Sequence, residues 1–261
     1  MMAKVGIVGG TGMYDTDFLS EPKIIAVDTP FGKPSEPLTV GKIGNVEVVV
    51  IPRHGKGHVV NPTNVNYRAN IWAMKQLGVA RIIAPCAVGS LKEEFKPGDL
   101  VFTDQFIDRT TKRASTFYDK DKVCHISMAQ PFCPDLRKLL HDSAERLGLP
   151  HHKEGTNVVV EGPRFSTLAE SNLFRSWDCG TINMTMVPEC VLAREAEICY
   201  AAVAQVTDYD CWKGEVVTAE VVISTLKNNV EKTKKLLLDV IPRIPVVAGC
   251  NCQSALKDAL L

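Results

Sequence analysis

The feature that most constrains the fold is an alternation between short runs of Val, Ile and Ala and stretches with helical periodicity. Uninterrupted apolar runs are typical of strands buried on both faces, and such strands occur in sheets that helices cover on both sides. We predict strands at residues 5–8, 23–27, 46–51, 81–84, 100–103, 156–160 and 201–206, and helices at residues 66–77, 135–147, 167–177 and 222–241. This order implies an α/β fold with a mostly parallel or mixed central sheet.

Length and composition fit a single domain over residues 1–261, in which residues 243–261 form a C-terminal tail. The 261 residues are 45% hydrophobic and 23% charged, as in globular enzymes. Thirty basic and thirty acidic residues cancel. A neutral chain has no general attraction to nucleic acid or to an anionic membrane, so we expect neither as a partner. The polar stretch 109–122 is predicted to be an ordered loop with functional or subunit contacts.

The N-terminus and the cysteines indicate a reducing compartment. Met1-Met2-Ala3-Lys4 leads directly into a strand without a secretory signal, and no apolar run approaches the roughly 20 residues that span a bilayer. The nine cysteines are scattered, as expected for reduced thiols, and Cys250-Asn251-Cys252 is their one close pair. We expect a cytoplasmic protein, with the nucleus left open as a further location. Two sulfurs without a second pair are too few for a structural zinc site, so we predict no metal site.

A glycine cluster, Gly9-Gly10-Thr11-Gly12, follows the first predicted strand. Consecutive N–H groups at such a turn can hold an anion, and Thr11 adds a hydroxyl donor. The cluster also resembles an incomplete dinucleotide-binding fingerprint, because Asp15 stands where the third glycine is needed. Asp28 ends the next strand, where a ribose-binding acid would lie. A phosphate site, a nicotinamide site and a tight structural turn therefore stay open.

Two further segments after strands have donors for an anion. Arg53-His54-Gly55 follows the strand at residues 46–51, and the planar guanidinium of Arg53 suits phosphate. The alternative is an ordinary salt bridge in a solvated loop. Cys86 and Ala87 end another strand among small residues, where backbone N–H groups either contact an anion or belong to a close-packed turn.

An aromatic residue and an acidic pair indicate recognition of a planar base. Phe165 lies between a strand and a helix and offers a flat face to a ring, although a core position is the simpler alternative. If residues 207–210 are extended, Asp208 and Asp210 point to the same side. Two close carboxylates repel, so one is expected to hold a proton. An acid beside an acceptor suits an adenine-like leaving group, whereas a surface turn with solvated acids remains the alternative.

In this order, the motifs resemble the trimeric purine nucleoside and methylthioadenosine phosphorylase family, from residue 5 to about residue 242. The matching segments are residues 9–12, 52–55, 65–72, 89–94, 104–111, 161–166, 183–189 and 207–212. The resemblance implies a central mixed sheet partly closed into a barrel and flanked by helices. It also implies reversible cleavage of 5′-methylthioadenosine by phosphate, giving adenine and 5-methylthioribose 1-phosphate. Phosphate is then a co-substrate, and no metal or organic cofactor is needed.

Residue roles carried over from the family fall into four groups. The resemblance implies phosphate ligands at Thr11, Arg53, His54, Cys86, Ala87 and Thr185, a ribose contact at Met184, a purine contact at Phe165, and catalytic purine recognition by Asp208 and Asp210. It implies a homotrimer in which His125 reaches the 5′ pocket of the neighbouring subunit. It also implies that the C-terminal region helps to line that pocket.

Several alternatives remain at this stage. The nearest is a purine nucleoside phosphorylase acting on adenosine or on inosine and guanosine, but a carboxylate at Asp208 cannot donate to a 6-oxo group unless it is protonated. A hydrolytic nucleosidase would not need Arg53. A nicotinamide-dependent oxidoreductase would use the glycine cluster. A nucleoside-binding sensor without turnover stays open because Cys86 stands where the family often has threonine.

Overall fold

The computed structural model describes residues 4–10, 15–214 and 217–261. Within these ranges, eleven strands form one mixed sheet and five α-helices pack against it. The strands are β1 (Lys4–Gly9), β2 (Ser20–Ile25), β3 (Leu38–Ile43), β4 (Val46–Pro52), β5 (Val79–Ser90), β6 (Leu100–Val101), β7 (Gln105–Arg109), β8 (His151–His152), β9 (Thr156–Val160), β10 (Thr181–Asn183) and β11 (Cys199–Asp208). The helices are α1 (Tyr67–Gln76), α2 (Pro134–Arg146), α3 (Leu168–Ser176), α4 (Met186–Glu195) and α5 (Ala219–Val240), and short 3₁₀ turns cover Ile241–Arg243 and Cys252–Ser254.

The sheet branches at β5, its longest strand. Along one edge, residues 81–89 of β5 pair with parallel β11. On the other edge, β1 pairs with residues 79–83, and antiparallel β10 pairs only with residues 89 and 90. Among the described strands, none pairs with residues 84–88 on that second edge, so the sheet splays there. This gap lies at the carboxyl ends of β1, β4, β5 and β11, where ligands of α/β proteins collect.

Helices cover both faces of the sheet. On one face, α1 and α4 pack together over a cluster that includes Ile71, Met74 and Leu192. On the other face, α2 and α5 pack over a second cluster, which includes Leu140, Leu237 and other apolar side chains. The predicted α/β architecture with a mixed sheet is confirmed. The ladders among the described residues leave the sheet open, so partial closure into a barrel is not shown.

Element predictions succeed where the apolar pattern is long and fail at the sheet margins. The four predicted helices are present with ends shifted by one to three residues. The predicted strand at residues 23–27 is present as β2, but all of its residues are exposed, because β2 is an edge strand paired only with β3. Strands β3, β7, β8 and β10 were missed, as was α4, whose Val187 has extended dihedrals within the helix. No helix in the described part of the chain has the length and apolar character that crossing a bilayer requires.

Candidate active site

A cavity of about 520 Å³ opens at the gap in the sheet. Its walls come from the carboxyl-terminal parts of β5, β9, β10 and β11, from the segments that follow β1, β4, β9, β10 and β11, and from the start of α5. The lining includes the predicted site residues Arg53, His54, Cys86, Ala87, Phe165, Met184, Thr185, Asp208 and Asp210. The fold therefore brings into one place residues that are far apart in the sequence.

Arg53 lies on the cavity wall. The edge of its guanidinium that could bind an oxyanion through two hydrogen bonds is occupied by the Glu189 carboxylate. Its Nε and Nη2 donate to the two carboxylate oxygens of Glu189 at 2.6 and 2.8 Å. Nη2 also donates to the Val8 carbonyl at 3.2 Å, and Nη1 donates to the Pro85 carbonyl at 3.3 Å. Burial alone would lower the pKa of Arg53, but the ion pair and hydrogen bonds with Glu189 raise it, so the guanidinium stays charged. Described residues thus engage four of the five guanidinium donors, and they leave one Nη1–H without a partner among them.

Gly10 leaves room for that remaining donor. A Cβ at Gly10 would lie 3.1 Å from Nη1 of Arg53 and 2.9 Å from the Pro85 carbonyl oxygen. Cys86 lies beside Gly10, and burial raises the pKa of its thiol to about 12. The thiol is therefore uncharged at neutral pH and adds no repulsion to an anion. Gly10, the Arg53 guanidinium and the open edge of β5 together form a pocket with hydrogen-bond donors, called the donor pocket below.

Asn183 adds an unpaired donor to the same region. Its side-chain oxygen accepts from Asn157 Nδ2 at 3.0 Å, and Asn157 in turn accepts from Thr181 Oγ1 at 2.8 Å. This chain of bonds fixes the orientation of the Asn183 amide. Its Nδ2 is buried and has no hydrogen-bond partner among the described atoms, although Asn183 lines the cavity. A buried donor left unpaired costs about 1–3 kcal/mol, so this group suits a ligand acceptor.

His54 is a neutral imidazole of fixed tautomer. Its Nδ1 lies 2.8 Å from the Val60 carbonyl oxygen, which can only accept, so Nδ1 carries the proton. Burial, and then the nearby charge of Arg53, lowers the pKa of His54 to about 3. The ring stacks on His58 with 4.2 Å between centroids. Nε2 is therefore an acceptor, and it suits a protonated phosphate oxygen rather than a bare one.

The acidic pair lies at the end of β11, but not in an extended segment. Asp208 is the last residue of the strand, whereas Asp210 has a φ of +49°, in the left-handed region. The backbone N–H of Asp210 donates to Asp208 Oδ1 at 2.8 Å, and the Thr207 hydroxyl donates to Asp208 Oδ2 at 2.7 Å. Both acids line the cavity. A turn at Asp210 brings them there, whereas an extended segment was predicted. Burial raises the pKa of Asp210.

Gly89 makes the space for this pair. A Cβ there would lie 3.1 Å from Asp208 Oδ1 and 3.1 Å from Ile182 Cγ2. Any side chain at this position would push the carboxylate out of place. Gly89 forms the last pair between β5 and β11. A bulge between Val206 and Asp208 shifts the register of β11 just before this pair.

One wall of the cavity is apolar. Val217, Ala219, Val222 and Ile223, at the start of α5, line it and are called the apolar wall below. Ile223 is 50% exposed and Phe165 is 43% exposed. Large apolar side chains that stay exposed inside a cavity indicate a surface that a ligand covers.

Comparison with known proteins identifies the family. A family model described as the phosphorylase superfamily matches residues 4–242. The chain belongs to the phosphorylase superfamily. The resemblance inferred from the sequence motifs is thereby confirmed, as is the assignment of the chain as a nucleoside phosphorylase enzyme. Membership of this family argues against the oxidoreductase alternative.

Similar phosphorylases are found in distant organisms. The chain is 53% identical over 258 residues to the S-methyl-5′-thioadenosine phosphorylase of Thermofilum pendens, covering 99% of this chain and 98% of that protein. It is 51% identical over 265 residues to the protein of the same name from Xenopus tropicalis, covering 98% and 94%. The methylthioadenosine phosphorylase from Schistosoma mansoni, solved in complex with adenine, superposes with a TM-score of 0.93 at 40% identity, covering 98% and 96%.

Two predicted site residues are not among those that line the cavity of this phosphorylase. Thr11 falls in residues 11–14, outside the described residues. His125 is exposed, and its backbone N–H donates to the Ala259 carbonyl at 2.8 Å. Among the described residues of the tail, none lines the cavity. The apolar wall belongs to residues 217–223, which precede that tail.

An ion pair between Arg113 and Glu161, which was not predicted, supports the segment that contains Met184. The Glu161 carboxylate accepts from the backbone N–H groups of Thr111 at 2.6 Å and Lys112 at 3.0 Å, and from Arg113 Nε at 2.9 Å. Burial alone would raise the pKa of Glu161, but these bonds lower it to about 2. Arg113 Nη1 also donates to the Met184 carbonyl at 2.5 Å. The polar loop at residues 109–122 is thus ordered by contacts that position the Met184 segment.

Glu189 and Asn183 were also missed as individual site residues. Both belong to the motif at residues 183–189, and only Met184 and Thr185 of that motif were given roles. Glu189 is the one charged residue in the otherwise apolar run 186–193, and a carboxylate that is buried with such a run needs a cation as its partner. This pattern could have indicated the Arg53–Glu189 pair.

Proposed function

We propose that this phosphorylase cleaves 5′-methylthioadenosine with inorganic phosphate, giving adenine and 5-methylthioribose 1-phosphate. The observation that carries the proposal is the composition of one cavity: a pocket of donors, a buried acid pair and an apolar wall. The names of the relatives support the same substrate. The donor pocket would hold phosphate, the acid pair would bind the purine, and the apolar wall would cover the methylthio group.

Phosphate is the nucleophile in this proposal. It would accept from the free Nη1–H of Arg53, from the Asn183 amide and from the hydroxyl of Thr185, which makes no hydrogen bond to the helix end. A protonated phosphate oxygen would donate to Nε2 of His54. The Cys86–Ala87 backbone would contribute at the open edge of β5, and Thr11 is expected to add its hydroxyl. These contacts place the attacking oxygen, which gives an entropic advantage.

The acid pair would stabilise the leaving purine. As the bond between the sugar and N9 breaks, its electron pair moves into the purine ring and positive charge develops on the ribose. Asp210, whose pKa burial raises, would hold the proton and donate it toward the ring nitrogen N7. Asp208 would accept from the 6-amino group. Phosphate would bond to the anomeric carbon from the opposite face, and its charge would stabilise the developing cation.

Phe165 and Met184 would complete substrate binding. Phe165 is exposed at the cavity and would stack on the purine, whereas Met184, held through its carbonyl by Arg113, would contact the ribose. Phosphate supplies the nucleophile, and we propose that the reaction uses no metal or organic cofactor.

The direct experiment measures adenine release from 5′-methylthioadenosine with and without phosphate, with adenosine and inosine alongside. We expect release only with phosphate, fastest for the methylthio substrate, with 5-methylthioribose 1-phosphate as the second product. Free 5-methylthioribose formed without phosphate would identify a hydrolase and overturn the proposal. Preferential phosphorolysis of inosine would identify the enzyme as a 6-oxopurine nucleoside phosphorylase instead.

We further propose a homotrimer in which His125 reaches the neighbouring subunit's site. Its exposure and its absence from the residues that line the cavity of its own chain support this arrangement. Size-exclusion chromatography with light scattering would give the oligomeric state. Mixing His125→Ala and Asp208→Ala variants after dissociation should restore activity, since some sites would then combine two intact halves. No recovery in mixed oligomers would contradict the shared site.

A further inference from the structure

Four cysteines from three separate segments converge next to the C-terminal tail. The four-cysteine cluster consists of Cys133, Cys199, Cys250 and Cys252, whose sulfur atoms all lie within 4.8 Å of one another. Cys250 Sγ lies 3.5 Å from Cys133 Sγ and 3.4 Å from Cys199 Sγ. All nine cysteines of the chain are free thiols. Cys133 and Cys199 thus supply the second pair of sulfurs, whose absence from the nearby sequence had argued against a metal site.

The spacing of these sulfurs is close to that of a tetrahedral metal site. Zinc binds thiolate sulfur at about 2.3 Å, so the corners of a tetrahedral tetrathiolate site lie about 3.8 Å apart. Two of the six separations, 3.4 and 3.5 Å, differ from this value by a few tenths of an ångström, and none exceeds 4.8 Å. Small side-chain adjustments would therefore place the four sulfurs around one ion.

The surroundings of the cluster suit a closed structural site. Cys133, Cys199 and Cys252 are at most 4% exposed, whereas Cys250 is half-buried and leaves access for an ion. Closed sites with four protein ligands are typical of structural zinc. Four sulfur ligands in this arrangement favour zinc or iron over magnesium or calcium, which prefer oxygen.

Positive groups next to the cluster offset the charge of four thiolates. Nη1 of Arg194 lies 3.7 Å from Cys252 Sγ, and Nε of Arg194 is buried without a hydrogen-bond partner among the described atoms. Cys133 is the residue before α2 and its side chain makes no capping hydrogen bond. Its sulfur therefore lies near the positive end of a thirteen-residue helix.

We propose that the four-cysteine cluster binds a zinc ion. The ion would displace the thiol protons, so that four thiolates bind one divalent cation and the protons pass to solvent. Bound zinc would fasten the tail to the start of α2 and the start of β11. The end of the same tail pairs with residues 123–125, where the Leu261 N–H donates to the Val123 carbonyl at 3.0 Å. The site would thus stabilise the segment that contains His125.

The test uses the full-length protein, reduced and held in a phosphate-free buffer so that zinc does not precipitate. After incubation with zinc and desalting, metal content is measured by mass spectrometry. We expect equimolar zinc in the wild type and a loss of bound zinc in the Cys250→Ser/Cys252→Ser double variant. The matched control is Cys179→Ser, which removes a buried thiol outside the cluster and should keep its zinc. Cobalt in place of zinc should give the visible absorption bands of a tetrahedral thiolate site.

A second measurement keeps the proposal testable if the double variant does not fold. In the wild type, zinc should protect the four cysteines of the cluster from alkylation and leave Cys124 as reactive as before. Reduced protein that retains no zinc, or zinc that persists equally in the folded double variant, would overturn the proposal. Disulfides within the cluster that re-form in air despite added zinc would overturn it as well.

Discussion

Arg53 and Glu189 form a buried ion pair with two hydrogen bonds, of 2.6 and 2.8 Å, between residues that are 136 positions apart in the chain. Both side chains are at most 1% exposed. The Tyr200 hydroxyl also donates to Glu189, at 2.8 Å. The pair joins the residue after β4 to α4 and fixes the position of the Arg53 guanidinium on the cavity wall.

Removing one partner of this pair should strongly destabilise the protein. In Glu189→Gln, the amide group would present a donor to a donor and leave Arg53 buried without a counter-charge. We expect the free energy of unfolding to fall by about 3–5 kcal/mol, measured by urea denaturation. The control is Glu21→Gln, which breaks the exposed pair with Lys42 and should change stability very little. Equal and small losses in both variants would contradict the role given to the buried pair.

Asp208→Asn should move substrate preference from 6-aminopurines toward 6-oxopurines. The Asn amide can donate to a 6-oxo group, whereas it presents a donor to the 6-amino group. The Thr207 hydroxyl can rotate to accept, so the local fold is expected to persist. We expect the ratio of kcat/KM for adenosine to that for inosine to fall roughly 10- to 100-fold.

The matched control for that change is Asp178→Asn, a largely exposed carboxylate paired with Lys92. Its ratio should equal that of the wild type. If Asp208→Asn keeps full selectivity for the 6-amino group, Asp208 does not recognise that group.

Asp210→Asn should change how stability depends on pH. Burial raises the folded-state pKa of Asp210 above its unfolded value of about 3.9. Between these two pKa values the folded state binds more protons, so the wild type loses stability as pH rises through that window. Asparagine does not titrate and avoids this loss. The stability of the variant relative to the wild type should therefore increase from about pH 4 upward and then level off above the folded pKa.

Urea denaturation of both proteins across that pH range measures the difference. A difference that stays constant with pH would show that Asp210 has the same pKa in the folded and unfolded states. A difference that falls with rising pH would show a lowered folded pKa, the opposite of the effect of burial.

Ile223→Ser should weaken the reaction of the methylthio substrate selectively. The loss of an apolar contact with the substrate is worth about 1–3 kcal/mol, so kcat/KM for 5′-methylthioadenosine should fall at least about 10-fold. Adenosine, with a hydroxyl in place of the methylthio group, should be affected less. Val221→Ser is the matched control, because Val221 is a neighbouring exposed residue of α5 that is not part of the cavity lining. Equal losses of kcat/KM for both substrates would show that the apolar wall contacts a part of the ligand other than the methylthio group.

The main helices could be predicted from the sequence, whereas several strands and the geometry of the site could not. Long apolar patterns such as that of α5 gave the helix almost to its ends, because a helix buries one stripe of its own residues. The exposed edge strand β2 and the three-residue β10 lack such a pattern, since their pairing depends on neighbours from other parts of the chain. Asp208 and Asp210 were predicted to share a side because residues 207–210 would be extended. In the structure, a left-handed conformation at Asp210 brings both to the cavity instead.

The sequence by itself determined the α/β class, the positions of the main helices and the set of segments that follow strands and carry polar groups. These properties depend on residues close together in the chain, where periodicity and turn residues act. Only the tertiary structure decided that Glu189 pairs with the bidentate edge of Arg53, that β5 leaves an open edge where the cavity forms, and that Cys133 and Cys199 meet the two cysteines of the tail. Each of these contacts joins distant segments through the order of strands in the sheet, which local propensities do not specify.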